Sequence, residues 1–273
     1  MKIDGKALAQ AILTDLTRTV THLKEKGVTP TLVVILVGDD AESLSYIRQK
    51  QKATEKIGGR FIFEQLPKTS LPKELAARVQ MYNRDPSVHG LIVQRPLPSD
   101  FDVSINERVN PKKDIDGFVT NSPFDVPIVK AMIDILEYIH PQHFTKWLQK
   151  QKIVVVGRGE TAGKPIAAAL AKRQCATSII HSHTANPNKI MKDADIIISC
   201  VGKKGVVAKD ALTPGVILLS VGIWHGEDGK LYGDYEEDDV KDIASFYTPT
   251  PGGVGPLNIA SLMQNLVKAY TMK

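Results

Sequence analysis

Apolar positions along this chain switch repeatedly between helical and strand spacing, and the switching predicts its elements. Ile3, Ala7, Leu8, Ala11, Ile12 and Leu16 recur every three or four residues, the stripe of an amphipathic helix that starts at Asp4. Leu32-Val33-Val34-Ile35-Leu36-Val37 is continuously apolar, as a strand buried on both faces must be, and it stops at Gly38. A helix over 42–57 follows, closed by Gly58-Gly59, where glycine permits the left-handed turn that ends helices. Residues 61–66 predict a strand, 72–83 a helix and 90–94 a third strand, broken by Pro96 and Pro98. The charged tract Lys112-Lys113-Asp114-Ile115-Asp116-Gly117 reads as a loop.

A new unit begins near residue 120. Its spacing predicts a helix over 129–139, a buried strand over 153–156 ending in Gly157-Arg158-Gly159, and a helix over 161–173 with Pro165 in its first turns. Further strands are expected at 177–180, 196–200 and 216–221. Alternating strand and helix signals argue for α/β architecture with mostly parallel sheet. Residues 248–256, Thr-Pro-Thr-Pro-Gly-Gly-Val-Gly-Pro, suit neither helix nor central strand, because proline removes donors and glycine adds backbone freedom. Beyond them Ile259, Leu262, Met263, Leu266, Val267 and Tyr270 form a helical stripe that is expected to return to the first domain. The expected organisation is two α/β domains, 1–121 plus 255–273 and 122–254, with a ligand cleft between them.

Composition narrows the class. A chain of 273 residues suits two modest domains, and 42% hydrophobic with 24% charged residues is ordinary for a soluble globular protein. No apolar run approaches the ~20 residues of a membrane helix. Lys2, Asp4, Lys6 and Asp15 interrupt the first sixteen residues, so no signal peptide is expected and the expected location is cytoplasmic. The net charge of +5, from 35 basic and 30 acidic residues, is either a mild lure for small anions or a solvated surface. No basic cluster points to nucleic acid. Cys175 and Cys200 lie in apolar segments and read as buried thiols in a reducing compartment, without a disulfide framework or zinc spacing.

The strand-turn-helix around Gly157-Arg158-Gly159 and Gly163 lets backbone amides and a helix N-terminus approach a pyrophosphate, as in a Rossmann-like dinucleotide-binding domain. Its spacing, G-x-G-x-x-x-G, is one residue longer than the usual fingerprint, and a plain tight turn is the alternative. An NAD site would place a carboxylate about 20 residues on, to grip the ribose. Here the next strand ends in His181-Ser182-His183-Thr184, so Arg158 and Ser182 favour the extra phosphate of NADP, with NAD left open. His181 and His183 lack a third ligand at metal spacing, and no metal is expected. On the helix over 42–57, Tyr46 and Lys50 project from one face at i and i+4; a lysine beside a phenol can act in proton transfer. The plain alternative is a solvated row of Arg48, Lys50 and Lys52. Gln94 ends a strand, and Asp114 or Asp116 can accept the paired donors of a heterocycle's amidine-like edge.

Four ordered motifs settle between these alternatives: Tyr46-x-x-x-Lys50, Gly90-Leu91-Ile92-Val93-Gln94-x-Pro96-Leu97-Pro98, Lys113-Asp114-Ile115-Asp116-Gly117-Phe118 and Pro251-Gly252-Gly253-Val254-Gly255-Pro256. Together they resemble the bifunctional methylenetetrahydrofolate dehydrogenase/methenyltetrahydrofolate cyclohydrolase family over nearly the whole chain. The resemblance implies catalytic Lys50, with Tyr46, Gln94 and Asp116 around it. It implies folate contacts from Tyr46, Gln94, Asp116, Gly252 and Gly253, and NADP contacts from Gly157, Arg158, Gly159, Ser182 and Ile223. It implies tetrahydrofolate one-carbon derivatives as substrates and a homodimer. The departures gather on the cofactor side. Arg95 replaces an expected leucine, and the family's Pro-Cys-Thr-Pro segment is absent near Asp125-Val126-Pro127. Gly159 replaces a serine, Ser220 and Trp224 replace Asp and Asn, and Asn258 replaces a threonine. A cyclohydrolase with weak or lost dehydrogenase activity, or a non-catalytic folate/NADP-binding homologue, is therefore a second reading.

Overall fold

The apolar run after Pro30 becomes β1 (Thr31–Val37), every residue of which is buried. A strand covered on both faces also needs partners on both edges. β2 (Arg60–Leu66) and β3 (Gly90–Val93) supply them, both parallel, in the order β2-β1-β3. The computed structural model describes residues 1–99, 101 and 107–272, and the chain falls into two units. Ala9–Pro127 with Ile259–Lys273 forms one, built on this sheet; Met1–Leu8 with Ile128–Asn258 forms the other.

Three helices follow from the predicted stripes: α1 (Gly5–Glu25), α2 (Ala41–Lys56) and α3 (Pro72–Arg84). The ends of α2 are fixed by local chemistry. Asp40 caps its start, accepting the Ser43 N–H at 2.8 Å. At its end Gly58, with φ +83°, lets the Gly59 N–H reach the Thr54 carbonyl at 2.8 Å. Both ends set the rotation of α2, and hence which side chains it turns inward.

The charged tract after β3 gives each of its residues a different task. A short 3-10 turn (Pro111–Lys113) leads into Asp114, which is 4% exposed and accepts the Val119 N–H at 2.8 Å. Ile115 is fully buried and occupies the space of a missing side chain: a Cβ on Gly90 would lie 2.8 Å from its Cδ1. Gly117, with φ +72°, leaves no room for a Cβ, which would meet the Phe124 carbonyl at 2.8 Å. Asp116, between the inward Ile115 and this turn, is left half-buried on the open side. After α4 (Pro127–Ile139) and the second unit, the chain returns to this loop through the last helix, Val254–Thr271. Its Asn265 donates to the carbonyls of Ile115 at 2.8 Å and Asp125 at 2.9 Å. Leaving such buried carbonyls without a donor costs about 1–3 kcal/mol.

In the second unit, α5 (Phe144–Gln149) precedes β4 (Lys152–Val156), α6 (Gly163–Lys172) and β5 (Ala176–Ile180). α7 (Pro187–Lys192) leads to β6 (Ile196–Ser199) and β7 (Ile217–Ser220). An antiparallel hairpin, β8 (Ile223–His225) and β9 (Leu231–Gly233), precedes α8 (Glu237–Val240), β10 (Phe246–Tyr247) and α9, the Val254–Thr271 helix. The five-stranded sheet is parallel, in the order β10-β7-β6-β4-β5. The chain leaves β4 toward β5 on one side and then crosses to β6 on the other. That reversal opens a crevice beyond the carboxyl ends of β4 and β6, where α/β sheets bind ligands. α6 starts two residues later than its stripe suggests, because a Cβ on Gly163 would sit 2.1 Å from the Gly157 carbonyl and the turn must finish first.

Asp114 yields a pH test. Burial, with Asp116's charge adding, pushes its carboxyl up to about 6 from 3.8. A raised folded-state value means that its contribution to stability is complete below about pH 4 and is lost as pH rises through about 6. Asp114→Asn keeps an acceptor for Val119 and does not titrate. Between about pH 4 and pH 7 the wild type should lose roughly 2–3 kcal/mol relative to this variant in urea unfolding. A pH-independent difference contradicts this placement.

Candidate active site

Ser43, Ile47, Lys50 and Thr54 share the buried side of α2, whereas Arg48 and Lys52 are exposed. Lys50 thus takes a core position, 9% exposed, and an amine taken out of water needs partners. It has them on two sides: Nζ donates to Gln94 Oε1 at 3.1 Å and lies 3.7 Å from Asp116 Oδ2. Gln94 is aimed by its own contacts. Its backbone N–H extends the sheet to the Ile35 carbonyl at 2.8 Å, and Nε2 donates to the Arg95 carbonyl at 2.8 Å, turning Oε1 toward the lysine. The Arg95 guanidinium lies 4.7 Å above the Phe118 ring and so joins the Gln94 turn to the Asp116 loop. One helix, one strand end and one loop thereby converge on a single amine.

Tyr46 sits one turn before Lys50 and is 36% exposed. Burial of the phenol, with Glu42's charge adding, raises it above its ordinary value of 10.0, so near neutral pH it is an uncharged hydrogen-bond donor and an aromatic face. Asn265 and Gly90, which hold the Asp116 loop, were not singled out in the sequence. The helical stripe around 265 contained the signal, since an asparagine among buried apolar positions has to bond to something.

The turn after β4 assigns each glycine a reason. Gly157 has φ +103°, and a Cβ there would meet the Cys200 carbonyl at 2.9 Å; Gly163 packs on Gly157. A Cβ on Gly159 would meet nothing within 4 Å, so its side of the turn is open for a ligand's approach. These are the duties of the glycines in a dinucleotide loop: tight turn, close approach, helix packing. Arg158 is exposed with no ion-pair partner among the described residues, and Ser182 is exposed in the adjacent turn. The Gly157 N–H bonds the Ile180 carbonyl at 2.8 Å, so both turns leave neighbouring strands at one level. The histidines beside Ser182 shape that turn: the His183 N–H donates to His181 Nδ1 at 3.2 Å. Among the described residues no group of three or more His, Cys, Asp or Glu could hold a metal ion.

Ile223 opens β8, and its carbonyl would lie 2.7 Å from a Cβ on Gly202. Gly252 and Gly253 are buried in the second unit; Gly252 has φ +108°, and a Cβ on Gly5 would lie 1.9 Å from the Gly253 carbonyl. Cys175 and Cys200 are free thiols, and burial raises both, Cys200 to about 12. They are inert rather than nucleophilic.

Comparison with known proteins agrees with this geometry. Residues 3–116 match the family model described as tetrahydrofolate dehydrogenase/cyclohydrolase, catalytic domain, and residues 130–273 match its NAD(P)-binding domain. The bifunctional protein FolD of Staphylococcus carnosus (strain TM300) is 38% identical over 281 residues, covering 99% of this chain and 97% of the relative. A crystal structure of the bifunctional enzyme FolD from Campylobacter jejuni superposes with TM-score 0.94 at 32% identity, covering 100% of this chain and 99% of that one. The Trypanosoma brucei FolD structure, complexed with NADP cofactor and inhibitor, superposes with TM-score 0.92 at 29% identity, covering 100% and 97%. With both domain models matched in order and a full-length relative at this identity, the chain belongs to the tetrahydrofolate dehydrogenase/cyclohydrolase family.

Proposed function

We propose that this chain oxidises 5,10-methylenetetrahydrofolate to 5,10-methenyltetrahydrofolate with NADP and hydrolyses the product to 10-formyltetrahydrofolate. The observation that carries the reading is the buried Lys50 amine held between Gln94 and Asp116. NADP fits the turn after β4, where Gly157, Gly159 and Gly163 clear the backbone's approach and the exposed Arg158 and Ser182 would hold its ribose phosphate. The chemistry that NADP would supply there is acceptance of the hydride from the methylene carbon.

The second step belongs to the folate-side residues. Water adds its oxygen to the methenyl carbon and the bond from that carbon to one folate nitrogen breaks; one water proton ends on the departing nitrogen and the other in solvent. Lys50 relays a proton from the water toward the departing nitrogen. Gln94 holds the amine in reach by accepting its hydrogen bond. Asp116 receives the paired donors of the pterin edge, and Tyr46 lays its ring against the substrate one turn away.

The working form is a homodimer in the cytoplasm. The edge strand β5, with Ile179 45% exposed, leaves backbone groups open to pairing with a second copy, and the free cysteines suit a reducing compartment.

Methylenetetrahydrofolate supplied with NADP or NAD, and methenyltetrahydrofolate supplied alone, separate the two activities by absorbance. Lys50→Met should reduce methenyl hydrolysis by about a hundredfold or more while the unfolding midpoint is retained, and a hydrolysing variant refutes the assignment. The open position at Gly159 bears on the second reading, a member with weak hydride transfer. Serine fits there without strain, so Gly159→Ser should tighten NADP binding by roughly three- to tenfold in calorimetric titration. Unchanged or weaker binding means that the missing hydroxyl is not what limits cofactor affinity.

A further inference from the structure

Asp234, the residue after β9, is fully buried, and no cation lies within ion-pair distance of it among the described residues. Its charge is met by four donors from one segment. Oδ1 accepts the N–H groups of Gly202 at 2.7 Å and Lys203 at 2.9 Å; Oδ2 accepts the Ser199 hydroxyl at 2.5 Å and the Val201 N–H at 2.9 Å. Three consecutive amides wound around an oxyanion form a nest, a geometry that backbone adopts to hold anions. Here the chain fills the nest with its own carboxylate, and so fixes the shape of the loop after β6.

That loop is one wall of the crevice at the switch point. The Cys200 carbonyl presses on Gly157, where a Cβ would sit 2.9 Å away, and Gly202 adopts φ +72° beneath Ile223. A Cβ on Gly222 would lie 2.3 Å from both Asp234 Oδ2 and the Gly202 nitrogen, so that glycine too is dictated by the carboxylate. Two departures from the family pattern serve the same centre. Ser220 Oγ accepts the Asp234 N–H at 3.2 Å. Trp224 donates to the Gly233 carbonyl at 2.8 Å and stacks on Tyr232 with ring centroids 5.0 Å apart, closing the hairpin that delivers Asp234.

We infer that Asp234 is a positioning residue for NADP: it moulds residues 199–203 into the cofactor wall opposite the Gly157 turn without touching the cofactor. The inference rests on the proposed NADP reading. It makes the small β8-β9 hairpin a device for carrying one carboxylate under the cofactor loop.

Asp234→Asn tests it. Whichever way the amide turns, its NH2 group faces at least one backbone N–H that it cannot accept, so one or two of the four bonds are lost. NADP affinity, measured by calorimetric titration, should fall by about tenfold or more. Hydrolysis of methenyltetrahydrofolate, whose proposed proton-transfer groups Lys50 and Gln94 lie in the other unit, should stay within about threefold and certifies the fold. If the Asn variant does not fold, Ser199→Ala decides, because it removes one donor without creating a clash of donors; about threefold weaker NADP binding is expected. Wild-type affinity in a folded Asp234→Asn, or in Ser199→Ala when the former does not fold, overturns the inference. Equal loss of hydrolysis and affinity reduces Asp234 to a general structural role and overturns it too. A wild-type chain that binds no NADP sinks the dinucleotide reading itself, and this inference with it.

Discussion

A primary amine on the core side of a helix is the constraint around which the first unit is arranged. Lys50 leaves bulk water at a position where Ser43, Ile47 and Thr54 pack, and burial without polar partners would be costly. Gln94 and Asp116 supply them, and each is then held by further contacts. Gln94 is tied to β1 and to the Arg95 carbonyl, and the Asp116 loop is pinned by Asp114 inside, Ile115 against Gly90, and Asn265 from α9. The polar groups are few, but each has a second bond that fixes its direction. Such second bonds hold the amine's partners in place.

The second unit depends on an anion that it carries itself. In most dinucleotide folds the glycine turn and the following helix attract comment, and here they are joined by a second loop whose form is imposed from below. Ser220 and Trp224 look like losses when the chain is compared with its family pattern, since carboxylate and amide side chains are gone. In three dimensions they have new partners around Asp234. Gly159 differs: nothing has moved into the space that a serine would take. The departures at Ser220, Trp224 and Gly159 are therefore not equivalent: the first two have partners, and the third leaves open space.

Much of the fold was legible because its central strands are long apolar runs and its main helices carry clear stripes. β1, β4 and α2 fall where the pattern puts them, and Gly58-Gly59 ends α2 as expected. The hairpin β8-β9, the two-residue β10 and the short helices α5, α7 and α8 did not emerge, because elements of two to six residues carry too little periodicity. In the site, local spacing by itself favoured a solvated row of basic residues over a catalytic lysine. The buried series 43, 47, 50 and 54 takes Lys50 out of that solvated row and leaves Arg48 and Lys52 outside. Which of Asp114 and Asp116 faces the amine was likewise beyond local pattern, since it turns on Gly90, whose missing side chain admits Ile115 from a loop some 25 residues away.

The central claim is that the Lys50 amine, oriented by Gln94, meets the one-carbon bridge of a bound folate. A crystal structure with a non-hydrolysable analogue of methenyltetrahydrofolate tests this most directly. The expected result is the lysine nitrogen about 3 Å from the bridge or from its attacking water, still bonded to Gln94, with the pterin edge on Asp116. A folate seated out of that nitrogen's reach, with the contact to Gln94 broken, would contradict it.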